Sequence, residues 1–168
     1  MSKNSQFKYV LGIQCFATAD SGACIIKVDY KKKDYDYVAI SEERLLRKKY
    51  PYTFPLHSIK YCMSHFKIKK LNEIDLLVSD IIREPVWHRS GPSYNVTEFD
   101  YIKSKLNFPR KKIIQINHHL AHAASVFYTS GFKESAILIM DGNGTDLETN
   151  SFYYGKNKKI TLIDKYKG

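Results

Sequence analysis

Two histidines four residues apart, His118 and His122, are the sharpest chemical feature of the chain. On a helix that spacing sets both imidazoles on one face, where they can share a metal ion. Packed or surface histidines show the same spacing, so the pair alone decides nothing. Its position at the start of an apolar helix, just beyond a buried strand, is a frequent location for sites in α/β folds. His119, next to the pair, points elsewhere and reads as a partner of structure or of substrate.

Three further constellations stand out. Asp141-Gly142-Asn143-Gly144 follows an apolar strand. Its glycines let backbone approach a phosphate closely, and Asp141 offers a hard oxygen to a divalent cation. Asp-Gly and Asn-Gly are also the commonest two-residue hairpin turns, so the segment can equally be a connector. The run from Ser41 to Lys49, with Glu42, Glu43, Arg44, Arg47 and Lys49, reads either as a solvated charged loop or as an anion site. Arginine there presents a fork matched to carboxylate or phosphate. Asp20-Ser21-Gly22 lies between two strands, as a phosphate-cradling loop or a plain hairpin.

The elements that position these residues follow from periodicity. Apolar runs at 8–13 and 23–28 predict a β-hairpin, a charged turn spans 29–36, and 37–40 is a third short strand. Pro55 opens a helix whose apolar positions are Ile59, Cys62, Met63 and Phe66. Residues 74–78 form a fourth strand. A Pro/Gly/Ser-rich loop at 83–95 holds Trp87 and His88, and 96–106 is helical with Asn95 or Thr97 as cap. A short apolar strand at 113–116 is the kind expected in a sheet covered on both faces. Asn117 then caps a helix over 118–130, with Gly131 at its left-handed end. Strands at 136–140, 151–154 and 160–163 start a second sheet near Ser135, whose last two strands are expected to leave an edge open to pairing.

With 168 residues, 43% hydrophobic and 26% charged, the chain has the composition of one globular domain rather than a disordered segment. The net charge of +10 is spread over lysine clusters at 31–33, 67–70, 111–112 and 156–159, which lie at element ends and argue against a nucleic-acid stripe. The first residues lack a signal-peptide core, and no apolar run nears the roughly 20 residues that span a bilayer. A cytoplasmic protein without membrane partner is expected. Cys15, Cys24 and Cys62 have no metal-like spacing and read as buried, reduced thiols.

The four constellations occur in the order of the carbamoyltransferase family of nodulation-factor, cephamycin and tobramycin type. Leu11-Gly12-Ile13 with Asp20 to Cys24 resembles its first hairpin. Glu42, Glu43, Arg44, Arg47, Lys49, Phe54 and Pro55 are similar to its "EERxxRxK…FP" stretch. His118, His119, Leu120, His122 and Ala123 to Ser125 resemble "HHxxHAAS", and Asp141, Gly142 and Gly144 resemble "DGxG".

The resemblance implies an α/β, ribonuclease-H-like fold of the actin-like ATPase superfamily. Residues 1–134 would form its first subdomain and 135–168 the first strands of the second. It implies His118, His122 and Asp141 as ligands of a divalent metal, usually iron. It further implies ATP as cofactor, and passage of a carbamoyl group from carbamoyl phosphate, via carbamoyl-adenylate, to a hydroxyl acceptor. His119 and Asp20 take catalytic roles in that reading; Ser21, Gly142, Asn143 and Gly144 bind nucleotide phosphate; Arg47 and Lys49 bind the substrate anion. Ala19 stands where the family usually has a histidine, which puts one catalytic contact in doubt. Family members run several hundred residues, so this chain is expected to be an incomplete enzyme that needs a second chain or a homodimer. The alternative is a non-catalytic metal- or partner-binding module.

Overall fold

The computed structural model describes residues 6–15, 21–51, 53–81 and 97–168. The expected loop with Trp87 and His88, and both Asp20 and Ala19, lie outside the described residues. The fold is α/β: a five-stranded mixed sheet, a three-stranded antiparallel sheet, and helices. Two compact units emerge, one of residues 1–79 and 84–115, the other of residues 80–83 and 116–168.

Strands β1 (Phe7–Gln14), β2 (Gly22–Asp29) and β3 (Asp34–Ser41) form the expected antiparallel meander. Leu11 pairs with Ile25 and Ile13 with Ala23, and all four are buried, so one face of this alternating pattern is core. The turn after β2 is shorter than expected. Asp29 Oδ1 accepts from the N–H groups of Lys31 and Lys32 at 3.0 and 3.1 Å, which folds the chain back within four residues. The charged residues Asp34 and Asp36 therefore belong to β3, on whose exposed side they cost nothing in burial.

Helix α1 (Glu42–Leu46) was not expected, and it corrects the reading of 41–49 as a simple charged loop. Glu42 is fully buried. Its carboxylate accepts from the N–H groups of His57 and Ser58, from Ser58 Oγ at 2.6 Å, and pairs with His57 Nδ1 at 2.7 Å. These are the orphan N–H groups at the start of helix α2 (Leu56–His65), so a buried charge from one helix caps the next. Ile59 and Cys62 of α2 are buried, and the Cys62 thiol donates to the Ala23 carbonyl at 3.5 Å. Burial pushes that thiol up to about 11, so it is an inert packing group. Cys15 is buried too, but Cys24 is only partly so.

Strand β4 (Leu76–Ile81) lies parallel to β1 and starts two residues later than expected. Glu73 accepts from the N–H groups of Lys69 and Lys70, which tightens 71–73 into a single helical turn and leaves Ile74 buried just before the strand. Helix α3 (Glu98–Leu106) is capped by Thr97, whose hydroxyl accepts from Asp100 N–H, and ends at Asn107 in the left-handed region. Strand β5 (Ile113–Asn117) is the last strand of the order β3-β2-β1-β4-β5. Among the described residues it is not fully covered on both faces: Ile114 is 45% exposed, and Gln115 donates to buried Glu98.

The second unit holds helix α4 (His118–Ser130) and the meander β6 (Glu134–Met140), β7 (Glu148–Lys156) and β8 (Lys159–Lys167). His119, Ala123 and Phe127 recur at four-residue spacing on the buried face of α4, against Ile137, Ile139 and Tyr153. Gly155 admits Phe127, since a Cβ there would stand 2.5 Å from its ring. The β7–β8 turn uses Asn157 and Lys158, both at positive φ, the primed geometry that matches strand twist. Because β7 is central, only β8 of the last two strands is at an edge among the described residues. No helix among the described residues is long and apolar enough to cross a membrane.

Candidate metal centre

Asn117 decides how α4 begins. Its Oδ1 accepts from Leu120 N–H at 3.0 Å, and Gly131 at φ 78° ends the helix. This places His118 and His122 in the first two turns on one side and turns His119 inward. The loop after β6 is a seven-residue excursion, 141–147, rather than a two-residue hairpin turn. Asp141 N–H donates to Thr149 O, Gly144 N–H to Glu148 O, and Leu147 N–H to Gly144 O. Thr145 Oγ1 accepts from the backbone N–H of His118 at 2.9 Å, and the buried Glu148 carboxylate accepts from Asn117 Nδ2 and Asp146 N–H. Loop and helix start are thus tied together by three side chains.

That scaffold brings His118, His122 and Asp141 together. His118 Nε2 lies 2.8 Å from Asp141 Oδ2 and 3.1 Å from His122 Nε2, which is 3.2 Å from the same oxygen. Neighbouring ligand atoms of an octahedral ion with bonds of about 2.1 Å stand about 3.0 Å apart. The triangle of donor atoms fits one face of such an ion, and two imidazoles with one carboxylate is the set that suits ferrous iron and similar cations.

On its other side, His118 Nδ1 meets Asp80 Oδ2 at 2.5 Å. The hydrogen bond to Asp80 raises the imidazole above its ordinary range; burial opposes this, and Asp141 reinforces it. Burial opposes charge on Asp141 as well, but the Gly142 N–H and His118 outweigh it and hold the carboxyl below its usual value. Between two carboxylates, His118 holds a second proton readily; a divalent cation on Nε2 would take the place of that proton.

The other residues singled out by sequence divide between the units. His119 is enclosed, with Nδ1 2.7 Å from Ser151 Oγ, and burial lowers its affinity for a proton. Among the described residues its Nε2 is buried without a hydrogen-bond partner. Gly142 and Asn143 are exposed, whereas Gly144 is buried against Glu148. Ser21, Arg47 and Lys49 belong to the first unit. The Ser21 hydroxyl donates to Thr53 O at 2.6 Å, Arg47 is the left-handed cap of α1, and Lys49 is exposed. Asp80, Thr145, Glu148 and Ser151 were missed by sequence reasoning. A signal existed for Asp80, an acid at the carboxyl end of a strand.

Residues 93–166 match the family model described as Carbamoyltransferase N-terminus, a stretch that includes both site histidines and Asp141. Over that stretch the chain is similar to the carbamoyltransferase N-terminal family. The chain is also similar to an uncharacterised protein of Synechocystis, 27% identical over 91% of this chain and 28% of the relative. An uncharacterised protein of Methanocaldococcus jannaschii is 29% identical over 75% of this chain and 22% of its own length. The nodulation protein NolNO of Sinorhizobium fredii is 29% identical over 63% of this chain and 18% of its own. The chain spans less than a third of the length of these relatives.

Proposed function

We propose that this chain supplies the metal-holding part of a carbamoyltransferase site. The observation that carries the reading is the convergence of His118 Nε2, His122 Nε2 and Asp141 Oδ2 within the family-matched stretch. Those three side chains would hold a divalent metal, iron by the family resemblance. Once bound, the metal supplies positive charge that neutralises nucleotide phosphate oxygens. The reaction is transfer of a carbamoyl group from carbamoyl phosphate, by way of carbamoyl-adenylate, to a small hydroxyl-bearing acceptor.

Within that reading Gly142, Asn143 and Gly144 present backbone toward phosphate, with Ser21 as a further phosphate contact. His119 and Asp20 serve catalysis, and Arg47 with Lys49 receives the substrate anion. The fold is that of an actin-like ATPase, with residues 1–134 as a first ribonuclease-H-like subdomain and 135–168 opening the second.

The test is titration of the cobalt-loaded chain with ATP, read through the cobalt absorption bands. Nucleotide that perturbs those bands in wild type, and not in an Asn143→Ala, Gly142→Val variant, supports the reading. Unchanged bands up to millimolar ATP would remove nucleotide from it and leave a non-catalytic metal-binding module.

A further inference from the structure

His118 faces two carboxylates, and only one of them points with the triad. Asp141 Oδ2 meets Nε2, the atom that also faces His122, whereas Asp80 Oδ2 meets Nδ1 on the far side of the ring. Asp80 and His118 are largely enclosed, with side chains 13% and 12% exposed, but His122 is 48% exposed. Asp80 sits near the carboxyl end of β4. The backbone of His118 is fixed independently, by its N–H bond to Thr145 Oγ1.

We infer that Asp80 is a positioning residue for the metal centre, which accepts the Nδ1 hydrogen of His118 and thereby leaves Nε2 as the ligating atom. The inference rests on the metal-holding reading above. An imidazole can ligate through either nitrogen, and the hydrogen bond at one nitrogen selects the other. A carboxylate in that position also makes the ring a stronger donor, and loss of such a partner typically weakens metal affinity by about 10–100-fold. His118 is then the rigid ligand of the set, and His122 the one that adapts.

Zinc, diamagnetic and matched to imidazole, is the probe. Its dissociation constant is measured by chelator competition for wild type, Asp80→Asn and Asp164→Asn, the last removing an exposed carboxylate on β8. Asp80→Asn is expected to bind zinc about 10–100-fold more weakly, with Asp164→Asn within about twofold of wild type. Nitrogen NMR of the zinc-loaded wild type is expected to show His118 protonated on Nδ1 and metal-bound on Nε2, and needs no variant. Asp80→Asn binding within twofold of wild type would overturn the inference while leaving the metal-holding reading intact, whereas zinc on Nδ1 would overturn both. Wild type that binds no zinc would overturn both, and that failure appears before any substitution.

Discussion

Gly144 offers a direct measure of how the loop that carries Asp141 is held. A Cβ at this position would stand 2.5 Å from Glu148 Oε1 and 2.9 Å from Cγ, with Cδ closer still. The carboxylate has no room to yield, because it is buried and accepts from Asn117 Nδ2 at 3.1 Å and Asp146 N–H at 2.6 Å. Gly144→Ala therefore displaces it and forfeits one or both bonds. Each hydrogen bond to a charged group contributes about 1.5–3 kcal/mol. Reduced freedom of the unfolded chain returns about 0.4–1 kcal/mol. The expected net loss is about 0.5–2.5 kcal/mol if one bond is lost and about 2–5 kcal/mol if both are, read as a shift in the urea midpoint at constant slope. Gly142→Ala is the control, since nothing lies within 4 Å of a Cβ there, and should stay within about 0.5 kcal/mol of wild type. In a Glu148→Ala background the penalty of Gly144→Ala should fall below about 1 kcal/mol, because the clashing group is gone. Equal effects of the two glycine substitutions would refute the argument.

Glu42→Gln keeps the shape of the buried cap but removes its charge, and should cost about 2–4 kcal/mol in urea unfolding. Burial opposes charge on Glu42, yet bonds from Ser58 and His57 outweigh it and set the carboxyl below its ordinary 4.5. A depressed value stabilises the fold above the unfolded-state value and loses that contribution as pH falls through the folded one. Wild type should therefore lose stability below about pH 4.5 more steeply than Glu42→Gln; parallel pH profiles would contradict this. Gly155→Ala forces a Cβ to within 2.5 Å of the Phe127 ring, and overpacking of that kind costs about 1–3 kcal/mol in thermal unfolding. Asn117→Ala removes the α4 cap and a bond to Glu148, and should lower stability by about 1–3 kcal/mol, which circular dichroism during denaturation checks.

Helix α4 was legible from end to end because its signals are local: Asn117 caps, Gly131 terminates, and the apolar spacing lies between them. The opening meander and the start of a second sheet at Glu134 were legible for the same reason, an alternation that one buried face imposes. Expectation failed where side chains act at a distance. Glu42 looks like one charge among many in 41–49, and its burial depends on N–H groups that start α2, fifteen and sixteen residues on. Gln115 interrupts β5 for a similar reason, since its partner Glu98 sits on α3.

The candidate site divides along the same line. His118, His122 and Asp141 were read from sequence, two by helical spacing and one from its turn motif and the resemblance, and their donor atoms converge. Thr145 and Glu148, which bond to those residues or their loop, carry no pattern of their own, and Asp80 offered only its place at the carboxyl end of a strand. The Asp-Gly-Asn-Gly motif suggested a tight turn because its local statistics favour one. The longer excursion at 141–147 follows from anchors at Thr149, Glu148 and Thr145 that those statistics do not contain.

Metal content of the untagged protein tests the central claim most directly. Wild type is compared with the His118→Ala, His122→Ala double variant after identical purification, with circular dichroism confirming that both are folded. The account predicts close to one equivalent of iron or another divalent metal in wild type, and its loss in the double variant. Metal-free wild type that stays metal-free after exposure to ferrous iron, or metal retained without both histidines, would contradict it.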